Sequence, residues 1–111
     1  MVMILRHREP QPGESRTIRF DGREAGGPVS LLLVDAAPGQ GSGLHVHPYV
    51  ETWVVRRGEA EFIVGDEVAH ASPGDIVVAP ASVPHRFTNV GEDRLELVCI
   101  HPSDTILQIP V

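Results

Sequence analysis

A chain of 111 residues is long enough for one hydrophobic core and too short for two; with 15 acidic against nine basic residues its formal charge is −6. Apart from the adjacent Arg56 and Arg57 the basic residues are scattered, and Phe20, Tyr49, Trp53, Phe62 and Phe87 do not interleave with them, which excludes a nucleic-acid or anionic-membrane partner. The lone Cys99 excludes an internal disulfide, and neither a signal-peptide core nor an apolar run of about 18 residues is present, so a single cytoplasmic domain over residues 1–111 is expected.

Ten prolines and eleven glycines cut the chain into short segments rich in Val, Ile and Leu, none of which sustains a helical period without interruption. The expected class is all-β. The first candidate strand is Met3 to Arg8, followed by the polar, proline-bearing stretch Glu9 to Arg16. Residues 1–16 therefore read as an N-terminal arm or strand, free to pair with a partner subunit. Further strands are expected at Thr17 to Phe20, Val29 to Ala36, His45 to His47, Thr52 to Arg56 and Ala60 to Val64. Glu67 to His70, Ile76 to Ala79, His85 to Asn89, Leu95 to His101 and Leu107 to Ile109 complete the set. Turn chemistry separates them at Asp21-Gly22, Arg57-Gly58-Glu59, Gly65-Asp66, Ser72-Pro73-Gly74-Asp75 and Gly91-Glu92-Asp93. Many short, evenly spaced strands predict a sandwich, jelly roll or small barrel.

The stretch GQGSGLHVHPYVETWVVRRG, Gly39 to Gly58, carries the densest chemistry. His45 and His47 are two apart, and strand side chains alternate with period two, so both imidazoles leave the same face and can converge. Glu51 follows four residues on, with Pro48 signalling a bend that must aim its carboxylate, and His85 comes later. Three neutral imidazoles and one carboxylate suit one divalent transition ion: Mn, Fe, Ni, Co or Zn. The glycines of Gly39 to Gly43 suggest a phosphate cradle, but they precede a strand instead of a helix and so read as a flexible rim.

These residues resemble the two motifs of the cupin superfamily. In the first, a glycine, five residues, His-x-His, three residues, Glu, six residues and a glycine correspond to Gly39, His45, His47, Glu51 and Gly58. In the second, Gly74, Pro80, His85 and Asn89 match, while Ser82 stands where the family has its second glycine. The resemblance, from Gly39 to Asn89, implies a double-stranded β-helix, a jelly-roll barrel, with His45, His47, Glu51 and His85 holding one divalent metal in its mouth. It also implies a homodimer, since small single-domain cupins pair through sheet edges, here with the Met3 to Arg8 strand as the participant. If the Ser82 position requires positive φ, serine there costs on the order of 1 kcal/mol.

Other side chains carry narrower expectations. Trp53 and Phe87 lie two residues from Glu51 and His85, share their faces and are expected as walls of the ligand pocket. Tyr49, the sole phenol, is a candidate catalytic or substrate-contacting group. His101 is a second catalytic candidate, as a proton shuttle; ending a strand before Pro102, it reads in the first instance as a surface or strand-capping histidine. Cys99 reads as a core residue, and His7 and His70 as surface residues. The functional expectation is a small-molecule metalloenzyme of dioxygenase, isomerase or decarboxylase type. The alternative is a non-catalytic, metal-dependent module that binds or senses a small ligand.

Overall fold

The computed structural model describes residues 1–111. Ten strands follow in chain order: β1 (Ile18–Phe20), β2 (Ser30–Ala36), β3 (His45–Val46), β4 (Glu51–Arg57), β5 (Ala60–Val64), β6 (Glu67–Ala71), β7 (Ile76–Ala79), β8 (His85–Asn89), β9 (Leu95–His101) and β10 (Ile109–Pro110). The only helical element is a 3-10 turn, Gly22–Ala25, whose entry is capped reciprocally by Asp21 and Glu24. All pairings are antiparallel and form two five-stranded sheets, ordered β1-β2-β9-β4-β7 and β10-β3-β8-β5-β6. From β2 onward the chain changes sheet at every connection except the β5–β6 hairpin. Winding back and forth in this way makes the jelly-roll barrel expected from the sequence.

Strand alternation decides what faces inward. One row across the first sheet runs Leu32, Cys99, Trp53 and Val77, and the next aligns Val34, Leu97 and Val55. From the opposite sheet Phe62 and Phe87 pair directly and meet Trp53, with Trp53 and Phe62 ring centroids 5.1 Å apart. Trp53, Val55, Phe62, Leu95 and Leu97 are at most 2% exposed. Truncating Phe62 to alanine in such a packed interior costs about 3–5 kcal/mol. Cys99 belongs to this core, and burial raises its thiol pKa well above the ordinary value, which removes it as a nucleophile.

The two outer faces differ in character. On the first sheet the outward rows are Leu31, Ile100, Thr52 and Val78, then Leu33, Val98, Val54 and Ile76. The outer face of the second sheet mixes Glu61, His70, Thr88 and Arg86 with Ile63 and Val68.

Two backbone positions mark the turns that set the site. Gly58 has φ 84°, and a Cβ there would lie 2.5 Å from the Arg94 carbonyl oxygen, so the β4–β5 turn admits only glycine. Ser82 has φ 64°, the sole non-glycine residue in the left-handed region, and its N–H donates to the His47 carbonyl at 2.8 Å. The serine thus adopts the conformation a glycine would take more readily and ties the β7–β8 turn to a site histidine.

The expected strand at Met3–Arg8 does not form; the first strand is Ile18–Phe20. Residues 1–16 pair with no strand of the chain, although β1 leaves its outer edge open, so they are an arm without pairing and Met1 to Leu5 are exposed. Elsewhere boundaries move by one or two residues. The last strand is Ile109–Pro110, because register against β3 pairs Ile109 with Val46.

Candidate metal centre

His45 on β3 stands directly across the ladder from His85 on β8, which brings their ring centroids to 4.5 Å. His47, one residue beyond the end of β3, lies 4.8 Å from the His45 ring and 5.0 Å from that of His85. Between His47 and Glu51 the chain crosses to the other sheet, so the bend expected at Pro48 is the sheet-to-sheet crossing itself. Glu51 opens β4 and points back across the barrel at the three imidazoles. All four side chains are buried, and one donor atom from each lies within 4.8 Å of every other.

The local hydrogen bonds fix which nitrogen of each ring faces inward. His45 Nδ1 lies 2.6 Å from the Gly43 carbonyl, His47 Nδ1 2.6 Å from the Leu107 carbonyl and His85 Nδ1 3.1 Å from the Val83 carbonyl. A carbonyl only accepts, so each Nδ1 carries the hydrogen and each neutral ring keeps its lone pair on Nε2. Those lone pairs meet the Glu51 carboxylate. His47 Nε2 and His85 Nε2 are 2.8 and 3.1 Å from Glu51 Oε1. Lone pairs this close to a carboxylate repel unless a proton or a metal cation lies among them. Donors bound at about 2.1 Å to one octahedral ion sit roughly 3 Å from their neighbours, the spacing of the two contacts to Glu51 Oε1. His47 Nε2 is also fully buried without any aligned hydrogen bond, an orphaned donor atom aimed into the cluster. These residues fit a divalent ion.

The electrostatics agree. Burial works against the Glu51 charge, but in the metal-free protein hydrogen bonding from the neighbouring imidazoles, His101 foremost, which needs a proton where a metal ion would sit, outweighs it and holds the carboxyl well below the usual range, so it is ionised. Burial lowers the pKa of His45, which leaves that imidazole neutral and able to coordinate. For His47 burial also opposes charge, yet the Glu51 carboxylate and the Leu107 carbonyl prevail and raise its pKa. The proton that His47 would hold is the one a metal ion displaces.

His101 is the main correction. It is fully buried, not a surface or strand-capping residue, because the β9 register sets it opposite Ser30 and alongside Glu51. Its Nε2 is 3.2 Å from Glu51 Oε2, and its Nδ1 is 2.6 Å from the Tyr49 phenol oxygen. That oxygen also accepts the Leu107 N–H at 3.2 Å. With the backbone already donating to it, the phenol gives its own hydrogen to His101 Nδ1 and leaves the imidazole hydrogen on Nε2, facing Glu51. His101 thus holds the opposite tautomer to the three inward histidines. Tyr49 further stacks on His47, centroids 5.1 Å apart and planes within 5°. Burial raises the Tyr49 pKa, so the phenol stays protonated at neutral pH.

The centre opens into a cavity of ≈ 800 Å³ that includes His45 and Glu51. Trp53 and Phe87 line it, with Leu32 and Val34. The Gly39–Gly43 loop forms one rim, as expected, but it is stitched to β8: Ser42 N–H donates to the Phe87 carbonyl and Asn89 N–H to the Gln40 carbonyl, at 3.0 and 2.8 Å. His7 and His70 are exposed and outside the site. Sequence reasoning missed Leu107, whose carbonyl orients His47 and whose N–H orients Tyr49; backbone groups leave no residue-type signal.

Comparison with known proteins agrees with this fold. An uncharacterized protein of Streptomyces coelicolor is 32% identical over 83 residues, which cover 75% of this chain and 77% of that one. Among solved structures, an oxalate oxidase superposes with a TM-score of 0.77 at 25% identity, covering 91% of this chain. A Bacillus subtilis oxalate decarboxylase with Mn(II) centres superposes at 0.79 and 22% identity, over 92% of this chain. The chain spans only 57% of the oxidase and 30% of the decarboxylase. Residues 32–101 match the cupin domain family, and the chain therefore belongs to the cupins.

Proposed function

We propose that the protein is a metal-dependent enzyme acting on a small molecule that chelates the bound ion, with His45, His47, Glu51 and His85 as ligands. The observation that carries this reading is the tautomer pattern: three Nδ1 atoms bonded to backbone carbonyls turn three Nε2 lone pairs toward one ionised carboxylate. A divalent ion there would supply Lewis acidity and a local charge near +1 beside Glu51. The likeness to an oxalate oxidase and to an Mn(II)-bearing decarboxylase supports Mn as the first metal to load and small carboxylic acids as the first substrates to try.

Within this reading Tyr49 and His101 are the acid–base and positioning groups. His101 Nε2, 3.2 Å from Glu51 Oε2 and, like His47 Nε2, without an aligned hydrogen bond, stands beside the carboxylate as a positioning group, while Tyr49 holds the His101 ring. Trp53 and Phe87 form the apolar wall beside the centre. Anaerobic purification, elemental analysis and a substrate panel of hydroxy acids, diketones and dicarboxylic acids test the proposal. Stoichiometric metal with turnover or oxygen consumption supports it. Calorimetric binding without chemical change favours the ligand-binding or sensing module instead, and absence of metal refutes both.

The same reading includes a homodimer. Its support is the apolar outer face of the first sheet, with Leu33, Ile76 and Val78 exposed, and the exposed apolar run Met1 to Leu5, surfaces that a single chain leaves uncovered. Light scattering that finds only monomer rejects the dimer. An unchanged dimer after deletion of residues 1–8 rejects the part given to the arm.

A further inference from the structure

Of the three carbonyls that orient the cluster histidines, two are local: Gly43 and Val83 lie two residues before His45 and His85. The third comes from far along the chain. His47 Nδ1 donates to the carbonyl of Leu107, 60 residues on, and the N–H of the same residue donates to the Tyr49 phenol at 3.2 Å. Tyr49 in turn bonds His101, whose Nε2 lies 3.2 Å from Glu51 Oε2. Leu107 thus reaches the cluster from two sides, through His47 and through the Tyr49–His101 pair.

The chain on either side of Leu107 is held unevenly. Ile106 is pinned: its side chain is buried, its N–H donates to Asp21 Oδ1 at 2.8 Å, and its carbonyl accepts Arg19 Nη2 at 3.3 Å. Beyond it no side chain is buried. Leu107, Gln108, Ile109, Pro110 and Val111 are exposed; they are held by the two bonds of Leu107, the two-residue pairing of β10 with β3, and the Val111 N–H on the Leu44 carbonyl at 3.1 Å. A segment with so few buried contacts opens locally at small cost. One of its bonds, however, is made by a metal-ligand candidate. His47 Nε2 has no aligned hydrogen-bond partner in the protein, so Leu107 supplies the only aligned hydrogen bond of that ring. An ion on Nε2 would fix the ring from its other side and keep the Nδ1–H facing Leu107.

We infer that Leu107–Val111 is a metal-controlled strap, hinged after Ile106, that docks firmly across this end of the barrel when the centre is loaded and lifts locally when it is not. This deepens the metal-centre reading and rests on it. Coupling is reciprocal, so a docked strap also tightens the hold on the ion. A lifted strap takes β10 from the outer edge of β3, and an unpaired strand edge is a surface that another chain can join. Metal occupancy then decides whether that edge is covered.

The test is hydrogen exchange of the full chain with and without Mn(II), read by mass spectrometry, beside calorimetry of Mn(II) binding. Exchange across residues 107–111 should slow about tenfold on loading. The β6–β7 turn, where the Gly74 N–H donates to the Val55 carbonyl, should exchange at one rate throughout. The double variant Ile109→Gly, Pro110→Gly changes two exposed residues and no ligand, and favours the lifted segment through chain entropy; it should bind Mn(II) about five- to tenfold more weakly. Exchange of 107–111 unchanged by bound Mn(II), or a double variant that binds Mn(II) as tightly as wild type, overturns the inference while leaving the centre in place. Wild-type protein that takes up none of Mn, Fe, Co, Ni or Zn refutes the centre and the strap with it, a failure that calorimetry alone registers.

Discussion

Replacing Glu51 with glutamine keeps the volume of the side chain and removes its charge, which isolates what the carboxylate does. In the metal-free protein the change is mild, because an amide can donate to the Nε2 lone pairs of His47 and His85, now 2.8 and 3.1 Å from Glu51 Oε1; neutral replacements of buried ion pairs are often tolerated. Toward metal the change is severe. Even at the dielectric constant of water, a divalent ion and a carboxylate about 2.1 Å apart attract by about 4 kcal/mol, which is roughly a thousandfold in affinity. Metal at 100 times the wild-type dissociation constant stabilises wild-type protein by about 2.7 kcal/mol, raising Tm by roughly 10 °C in a domain of this size. For Glu51→Gln the same concentration falls to about a tenth of the weakened constant and stabilises by under ~0.1 kcal/mol. Thermal denaturation of both proteins with and without metal makes the comparison. Equal metal-induced shifts would show that Glu51 is not a ligand, whatever its position.

Tyr49→Phe removes the donor to the buried His101 Nδ1 while sparing every ligand; denaturation should show a loss of about 1–3 kcal/mol, with metal affinity falling no more than about tenfold. A thousandfold loss of affinity would make Tyr49 or His101 part of the ligand set. Ser82→Gly relieves the positive φ and, after the added chain entropy of glycine, should raise stability by about 0.5–1 kcal/mol, read as a higher urea midpoint at constant slope. The pH profile of the metal-free protein follows from two opposed histidines. The lowered His45 pKa contributes stability that is present above the ordinary value near ~6.5 and lost as pH falls through the folded value. The raised His47 pKa contributes stability that is full below ~6.5 and lost as pH rises through its folded value. Urea midpoints should therefore peak near neutral or slightly acid pH, and a steady rise from pH 5 to pH 9 would contradict the assignment.

How much of this was legible depended on whether a signal was local. His45 and His47 declare themselves by two-residue spacing, and Trp53 and Phe87 inherit their inward direction from the ligands two residues before them. His101 gave no such sign. Its place before Pro102 suggests a fraying strand end, and its burial comes only from lying opposite Ser30 and beside Glu51, contacts far apart in sequence. The apolar run at Met3 looks like a strand by composition, but a strand exists only through pairing, and the run pairs with no sheet edge of the chain.

The division of the site between the sheets has a mechanical consequence. His45 and His85 come from the second sheet, with His47 at its β3 end, and their hydrogen bonds run to Gly43, Val83 and Leu107 in the adjoining loops and C-terminal segment. Glu51 and His101 come from the first sheet, fixed by its own ladder. A cation gripped by both groups is bonded to both faces of the barrel at once, at the end where large apolar side chains give way to buried polar ones. Sheet-to-sheet packing there depends on charge more than on buried apolar area. Metal affinity and the cohesion of this end of the barrel are then linked quantities: whatever loosens the sheets spreads the donors, and whatever spreads the donors weakens the grip on the ion. Substitutions in the Trp53, Phe62 and Phe87 layer that leave all four ligands intact should therefore still lower metal affinity, in proportion to the packing they remove.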